Sequence, residues 1–79
     1  MSTKILLVDD EEHIRSVLSG SFSNAGNTVG CAATGEDGLG CLSVRTADLM
    51  VVDLKIPGIN GLDFARQAKG IVPDGQIII

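Results

Sequence analysis

Three aspartates stand where two apolar runs end. Asp53 closes Asp48-Leu49-Met50-Val51-Val52, and Asp9-Asp10 close Lys4-Ile5-Leu6-Leu7-Val8. After Asp53 comes a Pro/Gly/Asn/Gly turn, Leu54-Lys55-Ile56-Pro57-Gly58-Ile59-Asn60-Gly61; after Asp10 come two more acids, Glu11 and Glu12. If the two runs are adjacent strands of a parallel sheet, the three carboxylates converge in one crevice. Such a crevice, beyond the carboxyl ends of the strands, is where open α/β sheets place their ligands. Like charges this close repel one another, and a hard divalent cation relieves the repulsion. Mg²⁺ suits the site best, because it takes a few carboxylates, retained waters and phosphate oxygens. An aspartate beside such an ion can attack phosphorus and become an aspartyl phosphate. The ion neutralises charge on the transferring group, and little else is required of the protein. The competing reading makes Asp9 or Asp10 a helix N-cap and Asp53 an unrelated turn residue, since aspartate is common at both places. Two apolar strands that both end in acid, in this chain order, weigh against it.

Both runs are about five residues of β-branched and apolar side chains, the pattern of strands buried on both faces. After the first, Ile14, Val17, Leu18, Phe22 and Ala25 recur at helical spacing, with Asp9 or Asp10 available as the cap and Gly26 as the stop. Asn27 to Ala33 reads as a weak strand, short of large side chains and suited to a sheet edge. Thr34-Gly35-Glu36-Asp37 carries a Thr-x-x-Asp capping signal. The helix it opens includes Leu39, Leu42 and Val44. Gly35, Gly38 and Gly40 lower its propensity, so a short or mobile helix is expected. Beyond the Asp53 strand and its turn, Leu62, Ala65, Ala68 and Ile71 mark another helix, closing near Gly70. Pro73-Asp74-Gly75 is a turn, and Gln76-Ile77-Ile78-Ile79 opens a fourth strand. Strand and helix alternate as (βα)3β, which calls for a parallel sheet with right-handed crossovers. Ending on three isoleucines leaves an apolar edge, so a truncated domain is expected.

The 79 residues allow one small domain, burying only about 60% of its unfolded surface. With a net charge of −4 and only Phe22 and Phe64 as aromatics, a direct nucleic-acid surface is not expected. No apolar run approaches the length of a membrane helix. Met1-Ser2-Thr3-Lys4 is a short lead into a strand without a signal-peptide core, so a cytoplasmic chain is expected. Cys31 and Cys41 have no partner at metal-site spacing and read as buried free thiols of a reducing compartment.

The chain resembles the receiver domain of bacterial two-component response regulators. The resemblance runs from Lys4 to Ile79 and rests on Ile5-Leu6-Leu7-Val8-Asp9-Asp10-Glu11 together with Asp53-Leu54-Lys55-Ile56-Pro57-Gly58-Ile59-Asn60-Gly61. It implies an incomplete flavodoxin-like, doubly wound parallel sheet of strand order 2-1-3-4, with residues 1–79 as the N-terminal part of a receiver domain. It also implies that Asp53 accepts a phosphoryl group from a sensor histidine kinase. Asp9 and Asp10 would help Asp53 hold Mg²⁺, Asp10 as the more direct ligand of the pair, and the backbone carbonyl of Lys55 would complete the protein ligands. An output domain or downstream protein would receive the signal. The family's Ser or Thr after the fourth strand and its Lys after the fifth have no counterpart up to Ile79, which implies an impaired switch. The fourth-strand edge, or a sheet face left bare over the first and third strands, is expected to drive self-association to a dimer or larger assembly.

Two other readings compete. One is a fragment that self-associates and no longer signals. The other is a phosphatase of the haloacid-dehalogenase kind, which also forms an aspartyl phosphate at a strand end. That class needs a second Asp two residues on as acid and base, and position 55 is Lys. Gly38-x-Gly40-x-x-Ser43 is not a dinucleotide fingerprint, because it lacks the third glycine and lies within a helical pattern. His13 reads as a solvated surface residue.

Overall fold

The computed structural model describes residues 3–79; the expected lead at Met1 and Ser2 lies outside the described residues. The order is β1 (Lys4–Val8), α1 (Glu12–Asn24), β2 (Thr28–Ala32), α2 (Gly35–Val44), β3 (Leu49–Val52), α3 (Gly61–Ile71) and β4 (Gln76–Ile78). The strands form one parallel sheet in the order β2-β1-β3-β4. This is the expected doubly wound arrangement, with β1 and β3 in the middle.

Strand alternation sorts the side chains onto two faces. Leu6, Val8, Ala32, Met50 and Val52 join Leu42 of α2 and Phe64 and Ala68 of α3 in the main core. Phe64, Met50 and Val8 are fully buried there. The opposite face carries Ile5, Leu7 and Val51 under α1, whose Ile14 and Leu18 line a cleft with Leu7 and Val51. No residue of α1 is fully buried, and Val17 is 54% exposed. One helix cannot cover a four-stranded face. The bare region expected over the first and third strands is accordingly confined to β3 and beyond. Ile5 and Leu7 are buried, whereas Leu49 and Val51 are only half-buried, so β3 is not closed on both faces.

Several local expectations are corrected. Neither Asp9 nor Asp10 caps α1. Glu11 holds the N-cap position without a side-chain cap bond, and its N–H donates to Asp9 Oδ1 at 2.9 Å. The Thr34 cap is present, its hydroxyl accepting from Asp37 N–H at 3.1 Å. The glycines of α2 do not keep it from running 10 residues, because Gly38 is a point of close helix packing. In α3 the buried residues are Gly61, Phe64 and Ala68, while Leu62 and Ile71 are 58% and 42% exposed. Positions 61, 64 and 68 share one helical face, and Leu62 lies about 100° round from it. Val44 likewise points away from the core at 82% exposure. Cys31 and Cys41 are free but exposed, not buried. Cys31 stands on strand β2, which among the described residues has a neighbour on one side only, and Cys41 falls off the Gly35/Gly38/Leu42 stripe of α2. His13 is exposed, as expected.

Candidate functional site

The acids sit where the β1 ladders end. Asp53 N–H donates to Val8 O at 2.8 Å, continuing the β1–β3 pairing one residue past β3, and Asp9 N–H donates to Ala32 O at 3.0 Å, doing the same for β1–β2. Beyond these bonds the chain leaves the sheet, so the side chains that follow are gathered at one end of neighbouring strands. Carboxylate oxygens of Asp9, Asp10 and Asp53 all lie within 4.8 Å of one another. The juxtaposition expected from the two apolar runs is therefore present.

The three acids are held differently. Asp9 is half-buried, and its Oδ1 accepts from Glu11 N–H. Asp53 Oδ1 accepts from Lys55 N–H at 3.3 Å, a bond that folds the loop back towards the acid. Asp10 is exposed, and no hydrogen bond holds its carboxylate among the described residues. No protein donor engages the Lys55 carbonyl among the described residues. Two oxygens bound to one Mg²⁺ at about 2.1 Å sit roughly 3 Å apart when adjacent and roughly 4 Å when opposite. Small side-chain rotations would therefore bring all three carboxylates onto one ion. An all-oxygen, multiply acidic donor set suits a hard cation and not a thiophilic one.

The loop after Asp53 is fixed from several directions. Asn60 caps α3, its side chain accepting from Asp63 N–H at 2.9 Å, a role its turn context alone does not reveal. Gly61 N–H donates to Leu54 O at 2.9 Å, closing the loop onto its own start. Glu36, in the first turn of α2, accepts from Ile59 N–H at 3.4 Å. That contact joins residues 23 apart, and no local pattern announces it. A second unforeseen neighbour is Arg15 of α1, whose Nη1 donates to the Asp9 carbonyl at 2.7 Å. A usable sign was present: long helical side chains lean towards the N-terminus, and Arg15 stands one turn inside a helix that starts beside the acids.

Below the acids lies a cleft of about 130 Å³ lined by Leu7, Asp9, Ile14, Leu18, Val51 and Asp53, among others. A larger groove of about 1140 Å³ runs along β2 and α2, bordered by Gly30, Cys31, Gly40 and Cys41. Neither Asp10 nor Asp53 reaches it. No helix among the described residues is long and apolar enough to cross a membrane.

Comparison with known proteins agrees with this geometry. The family model of the response regulator receiver domain matches residues 5–79. The sporulation initiation phosphotransferase F of Bacillus subtilis is 35% identical over 79 residues, covering 100% of this chain and 64% of its own length. The chemotaxis response regulator CheY4 of Vibrio cholerae superposes with a TM-score of 0.93 at 26% identity, over 98% of this chain and 66% of that one. Response regulator TrrA, solved in complex with histidine kinase ThkA, superposes with a TM-score of 0.86 at 34% identity, over 98% of this chain and 66% of the matched chain. The chain spans less than two thirds of the length of the curated relatives it matches. With its sheet order, its strand-end acids and a family model matched along nearly its whole length, the chain belongs to the receiver domains of two-component response regulators.

Proposed function

We propose that the chain is a phosphoacceptor module, phosphorylated on Asp53 with Mg²⁺ held by Asp9, Asp10, Asp53 and the Lys55 carbonyl. The observation that carries this is the meeting of three carboxylates within 4.8 Å at the ends of adjacent parallel strands. On this reading residues 1–79 correspond to the N-terminal part of a receiver domain. The phosphodonor is a phosphohistidine on a sensor histidine kinase, the kind of partner that TrrA has in its complex. On this reading the chain acts in the cytoplasm and signals onward to an output domain or downstream protein.

In the step itself an Asp53 carboxylate oxygen attacks phosphorus. A P–O bond forms, the P–N bond to the donor imidazole breaks, and the imidazole nitrogen takes up a proton. The bound cation would offset charge on the transferring group. Asp53 is aimed by its backbone bond to Val8 and by the Lys55 N–H. The Lys55 ammonium supplies no acid–base group of the kind a hydrolase needs at this position, so the chain accepts the phosphoryl group without turning over an ester.

The test is incubation with Mg²⁺ and a small acyl phosphate, followed by intact mass. A single phosphoryl adduct is expected, absent in Asp53→Asn and absent when the metal is chelated. An adduct that persists in Asp53→Asn, or none on the unaltered chain, would overturn the assignment. Release of free phosphate from phosphate monoesters would favour a phosphatase instead.

A further inference from the structure

Asp9 is the most constrained of the three acids, held by three hydrogen bonds from β2 and from the start of α1. Its N–H is held by Ala32 O at the end of β2. Its carboxylate is held by Glu11 N–H at the entry to α1. Its carbonyl is held by Arg15 Nη1, in a part-buried bond of 2.7 Å. That last bond is charge-assisted, and such bonds are shorter and stronger than neutral ones. It is also the one of the three that a side chain supplies as donor, so it can be removed without altering the acids.

We propose that Arg15 is a positioning residue for the acidic site: by gripping the Asp9 carbonyl it fixes the turn between β1 and α1, and so keeps the Asp9 carboxylate facing the cation position. The proposal rests on the reading of Asp9, Asp10 and Asp53 as a Mg²⁺ site. Arg15 forms no ion pair with these acids among the described residues, so its contribution runs through the main chain. Without the guanidinium the Asp9 peptide loses one of its two anchors, and the carboxylate must be ordered at the moment the ion binds. Groups that orient a metal ligand from behind are worth roughly 10–100-fold in affinity. A carbonyl tether that acts on the ligand's backbone belongs at about tenfold, the lower end of that range.

The sign of the effect separates positioning from charge. Arg15 is a cation near a cation site. If it acted only through its field, removing it would reduce repulsion and tighten Mg²⁺ binding. Positioning requires the opposite. Arg15→Met keeps an unbranched apolar stem and removes both charge and donor; Arg15→Lys keeps the charge but replaces the planar fork by a shorter ammonium. Calorimetric titration with Mg²⁺ alone is the readout, with far-UV circular dichroism to confirm that each variant is folded. Weaker binding is expected in both, by about tenfold in Arg15→Met and by less in Arg15→Lys. Binding that is equal or tighter in a folded variant would overturn the proposal while leaving the Mg²⁺ site intact. Should Arg15→Met fail to fold, Arg15→Lys decides alone, because a pure charge effect predicts no change there. Absence of Mg²⁺ binding by the unaltered chain would overturn the reading of the acidic site, and this proposal with it.

Discussion

Gly61 lies under the main chain that carries Asp53. A Cβ built at this position would stand 2.8 Å from Asp53 O and 2.9 Å from Leu54 Cα. Both are backbone atoms, which no rotamer change can move aside. The residue's own N–H meanwhile closes the loop onto Leu54 O. Gly61→Ala must therefore lift the Asp53–Leu54 segment away from the start of α3, against the Asp53 N–H bond to Val8. Overpacking of this kind costs about 1–3 kcal/mol, read as a lower midpoint in urea unfolding. Because the displaced segment contains the acceptor, phosphorylation by a small acyl phosphate should also slow in the variant under conditions where it remains folded. An unchanged rate with reduced stability would show that the loop yields on the side away from Asp53.

At the scale of elements, α2 approaches α3 closely where Gly38 faces the ring of Phe64. A Cβ on Gly38 would come within 2.8 Å of Phe64 Cε2 and 3.0 Å of Val8 Cγ2, whereas a Cβ on Gly40 meets nothing within 4 Å. Two identical substitutions two residues apart, on opposite sides of the helix, should thus differ in sign. Gly40→Ala gains about 1 kcal/mol of helix propensity. Gly38→Ala gains the same but forces a fully buried ring to move, at about 1–3 kcal/mol, and should be destabilising overall. Phe64→Leu makes room for the new methyl. The double variant Gly38→Ala/Phe64→Leu should then be more stable than the sum of its parts by about 1 kcal/mol, a coupling that a double-mutant cycle measures. This pair also shows what the amino-acid pattern could reveal and what it could not. The strands, their order of alternation with helices and the acids at their ends are local signals, a run of apolar residues followed by a charge, and they survive into the fold unchanged. The buried face of α3 is not local. Leu62 and Ile71 are more apolar than Gly61 and Ala68, yet the small residues are buried because α2 and the loop approach closely there. Arg15 on the Asp9 carbonyl and Glu36 on the Ile59 N–H are likewise products of tertiary proximity, as is the exposure of Cys31 on β2.

For the molecule as a whole, the sheet has more apolar surface than its helices cover. In the register of the β3–β4 pair Ile78 stands beside Val51, so both point to the α1 side. There Val51 is half-buried, while Ile78 is 55% exposed. Among the described residues of this 79-residue chain β4 pairs with β3 along one side only, with its other row of backbone donors and acceptors open to pairing. An apolar side chain and an unpaired strand edge thus occur together, and a second copy of the chain can satisfy both at once. Two-fold pairing of β4 with β4 covers the β4 edge of both copies and leaves β2 as the outer edge of each. Fully burying an exposed isoleucine contributes about 1.5–3 kcal/mol; Ile78 is 55% exposed, so about half of that is available in each copy, and the two-fold doubles it. We expect sedimentation velocity over a tenfold concentration range to show a monomer–dimer equilibrium for the 79-residue chain. Ile78→Lys sets two like charges against each other across the axis and blunts the edge, so it should shift the chain to monomer while leaving Mg²⁺ affinity as it was. The acids stand beyond the carboxyl ends of β1 and β3, away from the outer edge of β4, and the two properties should separate. A chain that stays monomeric at high concentration, with its circular dichroism intact, would show that β4 tolerates solvent and that α1 screens the Val51–Ile78 band well enough alone.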